Sequence, residues 1–292
     1  MIGRRSLPLL ATLLAAPAWG AGRRVVTLGG AITETAFALG AGGEVVGTDL
    51  TSLYPPAAAA LPRLGYVRQL GAEGVLSLRP GLVLASADAG PPAAIEQVQA
   101  AGVEVVRLEE VRDPDGALAR IRAIGVALAR AAVAGEVADG VGQGVAAVRG
   151  GLPRGPAPRV LFLLSAGRAA PMAAGAGTAA EAMVVLAGGR NAVEGVRNYR
   201  ALSAEAVIEA APEVIVTTTD TLAGVGGAKG LLALPEIEGT PAALAGRVAA
   251  FDALALLGFG PRLGVALRDL ALALHPGLAL PELPPQPWMA AR

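Results

Sequence analysis

The chain has no cysteine and a single histidine, His275, among its 292 residues. Without cysteine it cannot form a disulfide, a thiolate nucleophile, an iron–sulfur cluster or a cysteine-based zinc site. One histidine also argues against a two-histidine metal site and against a serine–histidine–aspartate arrangement. The sequence therefore predicts none of the commoner metalloenzyme or hydrolase centres.

Charged and aromatic residues are scarce as well. Charged residues make up 16% of the chain, and 24 Lys+Arg balance 24 Asp+Glu. Nucleic acids and anionic membrane surfaces attract a basic excess, so we expect neither as a partner. Aromatic residues make up only 3%, which excludes a site lined by many tryptophans. The glycine pairs at 29–30 and 226–227 match neither GxGxxG nor a phosphate loop, and we interpret them as turns. No enzyme is predicted.

Residues 1–20 have the three parts of a cleavable secretory signal peptide. Arg4 and Arg5 form a basic start, residues 9–16 an apolar stretch, and Ala18 and Gly20 place small residues before a cleavage site. The apolar stretch is shorter than the about 20 residues of a membrane span. A buried first helix is the alternative, and Arg4-Arg5 is a partial match to a twin-arginine signal. We expect an exported, periplasmic protein.

The second half of the chain repeats the first at an offset of 132 residues. Residues 68–76 reappear as 200–208, and residues 80–84 reappear as 212–216. Each copy predicts a short helix, a proline stop and a strand buried on both faces. A further strand and helix precede each copy. The repeat predicts an α/β fold with two lobes, each around a mostly parallel central sheet.

The segment between the two copies, residues 114–149, has few turn signals and a helical spacing of apolar residues. We expect one long helix there, straight or bent. The predicted organisation is then an N-terminal lobe at 21–112, a linking helix at 113–150 and a C-terminal lobe at 151–292. Two α/β lobes on a stiff link are typical of a solute-binding protein, with the ligand in the cleft between them.

Several segments resemble a known family. They are 51–55 (TSLYP), 64–70 (LGYVRQL), 76–86 (LSLRPGLVLAS), 188–191 (GGRN), 202–205 (LSAE) and 256–262 (LLGFGPR). Together they resemble the periplasmic haem-binding proteins of bacterial haem ABC importers. Those proteins belong to the helical-backbone, class III binding proteins that also carry cobalamin and ferric siderophores. The resemblance covers nearly all of the chain after residue 20.

The resemblance implies a function and its partners. It implies a monomeric periplasmic carrier for iron acquisition, which binds ferric haem in the cleft and delivers it to an inner-membrane ABC permease dimer with its ATPase. Haem would be the transported ligand, with no catalytic cofactor. The alternatives are the same fold carrying cobalamin or a ferric siderophore, an enzyme, or a structural domain without a transport role.

The resemblance also implies which residues contact haem. It assigns Tyr66, in the Gly-Tyr-Val-Arg loop, as the axial iron ligand, and places Arg68 beside the phenolate or a haem propionate. On the opposite lobe the repeat itself supplies the candidates: Tyr199 and Arg200 align with Val67 and Arg68, and Arg168 follows the predicted strand at 160–164. The alternatives are a half-buried tyrosine and solvated surface arginines.

Other iron ligands are few in this sequence. Met172 is the only other candidate in a predicted loop, and His275 lies near the C-terminus, far along the chain from the loops of either lobe. The segment 217–222 lacks the basic residue that some haem-binding members carry there.

Glu73 and Glu205 occupy equivalent positions at the start of equivalent predicted helices, one in each copy of the repeat. The resemblance implies that they dock onto arginines of the permease. The alternative is a carboxylate placed favourably at a helix N-terminus, which contributes about 0.3–1 kcal/mol.

Overall fold

The computed structural model describes residues 23–167 and 169–290. The predicted signal peptide at 1–20 and the predicted cleft residue Arg168 lie outside the described residues. Within them, the chain forms two lobes, each built on its own β-sheet, and the α/β fold class is confirmed. No helix of the described part is both long and apolar enough to cross a membrane.

The first sheet has four strands, all parallel, in the order β2-β1-β3-β4. They are β1 (Val25–Leu28), β2 (Val45–Thr48), β3 (Leu82–Ser86) and β4 (Glu104–Leu108). Strands β1 and β3 are central and almost fully buried, as expected for parallel strands that are covered on both faces. The carboxyl ends of all four strands therefore meet at one edge of the sheet.

Helices cover both faces of this sheet. They are α1 (Gly30–Ala38), α2 (Pro56–Ala59), α3 (Ala72–Ser77) and α4 (Pro92–Ala100), with a 3₁₀ turn at Gly42–Glu44. Because strand side chains alternate, Leu82 packs in the cluster that contains Ile32 of α1. Val83 packs in the other cluster, with Val75 of α3 and Val98 of α4.

The link between the lobes consists of two helices, α5 (Pro114–Ala127) and α6 (Ala131–Gly151). The prediction of one long helix is therefore wrong. The chain reverses at residues 128–130, where Ala129 adopts a left-handed conformation with φ of 55°. The two helices then pack side by side, and Arg122 of α5 lies 2.7 Å from Asp139 of α6. The 21-residue helix α6 leads into the second lobe.

The second sheet has six strands. They are β5 (Arg159–Ser165), β6 (Met172–Ala174), β7 (Arg190–Asn191), β8 (Tyr199–Ala201), β9 (Val214–Thr218) and β10 (Val248–Phe251). The order is β10-β9-β5-β6-β8, and β7 also pairs with β5. The parallel set β10-β9-β5-β7 corresponds to β4-β3-β1-β2, and Val160 pairs with Val214 much as Val25 pairs with Leu82. The predicted repeat is confirmed, with the antiparallel strands β6 and β8 as an addition.

Seven helices and an extended segment complete the described part of the second lobe. The helices are α7 (Ala179–Leu186), α8 (Ala204–Ala210), α9 (Thr219–Gly224), α10 (Gly227–Leu232), α11 (Pro241–Leu244), α12 (Ala253–Leu257) and α13 (Leu263–Leu274). After α13 the chain runs back to a 3₁₀ turn at Pro287–Ala290, and Leu283 and Trp288 pack against the main core.

The glycines inside α5 and α6 allow close packing. A Cβ at Gly125 would stand 2.1 Å from the Cβ of Ala134, and one at Gly140 would stand 2.3 Å from the ring of Trp288. Glycine in a helix interior costs about 1 kcal/mol relative to alanine. Here the absence of a side chain at Gly125 permits the tight α5–α6 contact, and its absence at Gly140 permits the docking of the C-terminal segment on α6.

Buried ionic contacts join the two lobes. Arg262 of the second lobe forms two hydrogen bonds with Glu34 of α1, at 3.0 and 2.9 Å, and its guanidinium lies 3.9 Å from the centre of the Tyr54 ring. Arg120 of α5 donates a 2.6 Å hydrogen bond to the carbonyl of Gly258. Burial lowers the pKa of Arg120 to about 10. These contacts fix the first lobe against residues 258–262 of the second.

Candidate ligand-binding cleft

A cleft of about 750 Å³ lies between the lobes, within the about 300–1,000 Å³ typical of small-molecule sites. Its first wall comes from residues 29–120 and its second wall from residues 164–258. Most residues of the first wall follow the carboxyl ends of the parallel strands β1 to β4, which is where open α/β sheets bind ligands.

Tyr66 lies on the first wall, on a loop that is anchored on both sides of it. Gly65, with φ of 97°, adopts a conformation that favours glycine, and its carbonyl accepts a 2.9 Å hydrogen bond from the amide of Leu50. Val67 and Leu70 are buried in the core of the lobe. Tyr66 itself is 41% exposed and lines the cleft. The loop thus presents a phenol to the cleft from fixed backbone.

Arg68, two residues on, also lines the cleft but is already paired. Its Nε and Nη2 atoms both lie 2.6 Å from Oδ2 of Asp88, and Nη2 lies 3.8 Å from Oε1 of Glu110. The hydroxyl of Ser86 donates to Oδ1 of Asp88 at 2.5 Å. Burial acts to raise the pKa of Asp88, but the hydrogen bonds from Ser86 and Arg68 outweigh it and lower that pKa. Asp88 is therefore a carboxylate at neutral pH.

Glu110 connects this pair to a second arginine. Its Oε2 atom lies 2.8 Å from Nη2 of Arg112, while its Oε1 atom faces Arg68. Asp88, Arg68, Glu110 and Arg112 thus form a row of alternating charge along the first wall, which we call the charge row. Asp88, Glu110 and Arg112 were not among the residues predicted from the sequence. The available signal was their position directly after β3 and β4, because the carboxyl ends of parallel strands converge.

The second wall carries no charged side chain among the described residues that line the cleft. Tyr199 of β8 lines this wall and is half-buried, and its contact with haem stays a prediction. Burial raises the pKa of Tyr199, against smaller opposing effects of the Ala180 backbone and the Arg112 charge. Its phenol therefore stays protonated and available as a hydrogen-bond donor. Leu164 and Leu254 supply apolar surface beside it.

The prediction that Arg200 faces the cleft is wrong. Successive side chains of a strand point to opposite faces, and Tyr199 and Arg200 are neighbours on the edge strand β8. Since Tyr199 points into the cleft, Arg200 points away from it and is exposed. Arg168 lies outside the described residues, and its role stays a prediction.

The other candidate ligands of the sequence do not line the cleft. His275 follows α13, and its Nε2 atom lies 3.0 Å from the carbonyl oxygen of Ala187. Met172 begins strand β6 and does not lie in a loop. Among the described residues that line the cleft, Tyr66 and Tyr199 therefore provide the two phenol oxygens that could bind iron.

Glu73 and Glu205 lie in the first turns of α3 and α8, and both are exposed. In α8 the hydroxyl of Ser203 caps the helix by accepting from the amide of Ala206. In α3 the capping position is Gly71, which has no side-chain acceptor. The two carboxylates are thus available at corresponding positions of the lobes, and their docking role stays a prediction.

Comparison with known proteins agrees with this architecture. The sequence profile of the periplasmic binding protein family matches residues 25–254. The structure of the periplasmic haem-binding protein BhuT in complex with two haems is 44% identical, covers 86% of this chain and 99% of that chain, and has a TM-score of 0.82. The apo form of the periplasmic haem-binding protein RhuT from Roseiflexus sp. RS-1 is 41% identical over 86% of this chain and 97% of its own, with a TM-score of 0.82. HutB, the periplasmic haem-binding protein of Vibrio cholerae, is 32% identical over 87% of this chain and 99% of its own, with a TM-score of 0.79.

Curated relatives include cobalamin carriers. The vitamin B12-binding protein of Yersinia pseudotuberculosis is 33% identical over 102 residues, which are 35% of this chain and only 36% of that protein. The cobalamin-binding protein of Halobacterium salinarum is 28% identical over 263 residues, 86% of this chain and 69% of that protein. Since the family profile spans strands of both sheets and the link between them, the chain belongs to the periplasmic binding protein family.

Proposed function

We propose that the chain is a periplasmic solute-binding protein that binds ferric haem in its cleft and delivers it to an ABC permease. The observation that carries the proposal is the position of Tyr66, a phenol held on an anchored loop in the wall of an interlobe cleft. The similarity to the haem-binding proteins BhuT, RhuT and HutB, each of which aligns with at least 86% of this chain, supports haem as the ligand.

Tyr66 would act as the axial iron ligand. Ferric iron favours a hard, anionic oxygen donor, and tyrosinate is an established haem ligand. A free tyrosine has a pKa of about 10, so the iron must displace the phenolic proton on binding. Arg68, two residues along the same loop, also lines the cleft. Tyr199 is the poorer phenolate because burial raises its pKa.

The two walls would contact different parts of haem, the first wall its propionates and the second wall a face of the porphyrin. Guanidinium groups bind carboxylates with two parallel hydrogen bonds, which suits Arg68 and Arg112 to the haem propionates. The second wall, with Leu164, Tyr199 and Leu254, provides a neutral and mostly apolar surface for a porphyrin face. Arg168 remains a further candidate for a propionate contact.

We also propose the export and the domain bounds that the sequence predicts, with a link built from α5 and α6 in place of one helix. The signal peptide would be cleaved after Gly20, leaving a monomeric carrier with lobes at 21–112 and 151–292 and a link at 113–150. The mature chain carries no catalytic cofactor and performs no reaction on its ligand. This agrees with membership of a family of binding proteins.

Glu73 and Glu205 would dock the carrier on the permease. The permease dimer, with its ATPase, has two equivalent halves, and the carrier has one exposed carboxylate at the same position of each lobe. Exposed ion pairs contribute only about 0.2–1 kcal/mol each, so this pair sets orientation more than affinity.

Cobalamin is the second candidate ligand, because the cobalamin-binding protein of Halobacterium salinarum aligns over 86% of this chain. A ferric siderophore is a third. The test is to titrate the mature chain, residues 21–292, with hemin, cyanocobalamin and a ferric siderophore, following absorbance. We expect only hemin to bind at a 1:1 ratio with a high-spin tyrosinate spectrum. Binding of cyanocobalamin in preference to hemin contradicts the proposal.

A further inference from the structure

The charge row places each of its arginines against a carboxylate before any ligand arrives. Arg68 makes two contacts of 2.6 Å with one oxygen of Asp88, and Arg112 lies 2.8 Å from Glu110. A guanidinium that is neutralised in this way gives less of its charge and fewer free donors to another anion. The row therefore opposes the role that Arg68 plays toward a phenolate or a propionate.

Asp88 is held in this opposing position by the fold. It follows strand β3, accepts a hydrogen bond from Ser86 at its other oxygen, and its side chain is only 27% exposed. The hydrogen bonds of Ser86 and Arg68 keep it ionised. The side chain of Arg68, by contrast, is 57% exposed, and its described contacts are with Asp88 and Glu110. The more deeply buried carboxylate thus holds the more exposed guanidinium.

We propose that Asp88 is a positioning residue that restrains Arg68 and so weakens the hold of the cleft on its anionic ligand. The inference rests on the proposed haem function, and it explains how a carrier that must release its cargo avoids holding it too tightly. Removing the carboxylate of Asp88 is expected to tighten binding, which is the opposite of what loss of a direct ligand contact does.

Glu109 provides a matched control. It lines the same wall as Asp88 but forms no ion pair with Arg68 or Arg112 among the described contacts, whereas Asp88 contacts Arg68 directly. Asp88→Asn and Glu109→Gln remove the same charge from the wall and keep nearly the same shape. A difference between them therefore reports the pairing with Arg68 and not the net charge of the cleft.

The experiment measures hemin affinity and the rate of hemin transfer to a scavenger protein. The variants are Asp88→Asn, Glu109→Gln, Arg68→Ala and the double variant Arg68→Ala/Asp88→Asn. We expect Asp88→Asn to bind hemin about 10-fold more tightly and to release it more slowly. Glu109→Gln should change affinity by less than about 3-fold. In the Arg68→Ala background, Asp88→Asn should have no effect beyond about 2-fold.

Three results would overturn the inference: weaker or unchanged binding in Asp88→Asn, an equal gain in Glu109→Gln, or a gain that persists without Arg68. Thermal unfolding shows whether Asp88→Asn folds. If it does not, Ser86→Ala takes its place, since loss of the Ser86 hydrogen bond loosens Asp88 and should tighten binding by a smaller factor. A wild-type chain that binds hemin with a tyrosinate spectrum, beside an Asp88→Asn variant that binds no better, contradicts this inference and leaves the haem function standing. A wild-type chain that does not bind hemin contradicts both.

Discussion

Residues 66–68 and 198–200 occupy equivalent positions in the 132-residue repeat, yet they present different side chains to the cleft. In the first lobe Tyr66, Val67 and Arg68 all line the cleft, although Val67 is almost entirely buried and packs in the core of the lobe. In the second lobe Asn198 and Tyr199 line it, and Arg200 points away. The first segment is an irregular loop, whereas Tyr199–Ala201 is a strand paired with β6. Because β8 is paired with β6 and the loop at 66–68 is not part of a strand, different residues of the two repeats face the cleft.

The two walls consequently differ in chemistry although their scaffolds correspond. The first wall has the charge row and a phenol beside a guanidinium, and the second wall is neutral in its described part. The two α/β units thus share the order of their parallel strands and differ in the segments that line the cleft. Under the proposed function, the first wall would coordinate and orient haem, and the second wall would cover it.

The largest expected effect is on the two tyrosines. Tyr66→Ala removes the proposed iron ligand, and hemin affinity should fall more than 100-fold, beyond the about 10–100-fold that loss of an outer-shell partner costs. Tyr199→Ala removes one hydrogen bond and some apolar contact, and should cost about 10-fold or less. Equilibrium hemin titration of both variants, with circular dichroism to show that they fold, makes the comparison. Equal losses would mean that the walls share the ligation.

The second expected effect is on the contact that holds the walls in place. Glu34 is 4% exposed in its ion pair with Arg262, and its loss leaves the guanidinium with the exposed Asp252 as its one carboxylate partner among the described residues, beside the ring of Tyr54. Glu34→Ala should lower the free energy of unfolding by about 3 kcal/mol. Asp252→Ala, which removes that exposed partner and the cap of α12, should cost only about 1 kcal/mol. Urea unfolding measures both, and a Glu34→Ala loss no larger than that of Asp252→Ala would show that the buried pair does not join the lobes.

A smaller difference is expected between Arg112, which lines the first wall, and Arg200, which does not line the cleft. Arg112→Ala removes a proposed propionate partner and should weaken hemin binding by about 1–2 kcal/mol, or roughly 5–30-fold. Arg200→Ala should leave affinity unchanged because its side chain points away from the cleft. Isothermal titration with hemin tests the pair. An affinity loss in Arg200→Ala would return this residue to the second wall.

The smallest effects are expected at Glu73 and Glu205, the two carboxylates proposed to dock on the permease. Glu73→Ala and Glu205→Ala should each reduce haem uptake slightly, with the double variant worse than either, because each exposed ion pair is weak. Hemin affinity should not change, since neither residue lines the cleft. Growth on haem as the iron source measures uptake. Normal growth of the double variant would leave both residues as carboxylates at helix N-termini.

Much of the scaffold was predictable because the sequence contains two copies of the same α/β pattern. The repeat and the continuous apolar strands predict two sheets with parallel cores, and Tyr66 stands out between Gly65 and Arg68. The reversal at residues 128–130 was not predictable from local signals. It uses an alanine, Ala129, in a left-handed conformation that usually requires glycine, and glycines inside the two helices weakened the pattern further.

The cleft residues that were not predicted were missed for a different reason. Asp88, Glu110 and Arg112 lie on separate segments, and their contacts with Arg68 exist only once the strands of the sheet are in order. Arg200 was misplaced because the repeat aligns it with Arg68, whereas Arg68 lies in an irregular loop and Arg200 lies in the strand β8. Local pattern predicted the elements, whereas the pairing of strands decided which side chains meet.

The central claim is that Tyr66 of the first wall binds the iron of ferric haem. The most direct measurement is the visible absorption spectrum of the 1:1 hemin complex of the wild type and of Tyr66→Phe. We predict a high-spin ferric spectrum with a tyrosinate charge-transfer band in the wild type, and loss of that band in Tyr66→Phe, which removes only the phenolic oxygen. An unchanged spectrum in Tyr66→Phe would contradict the account.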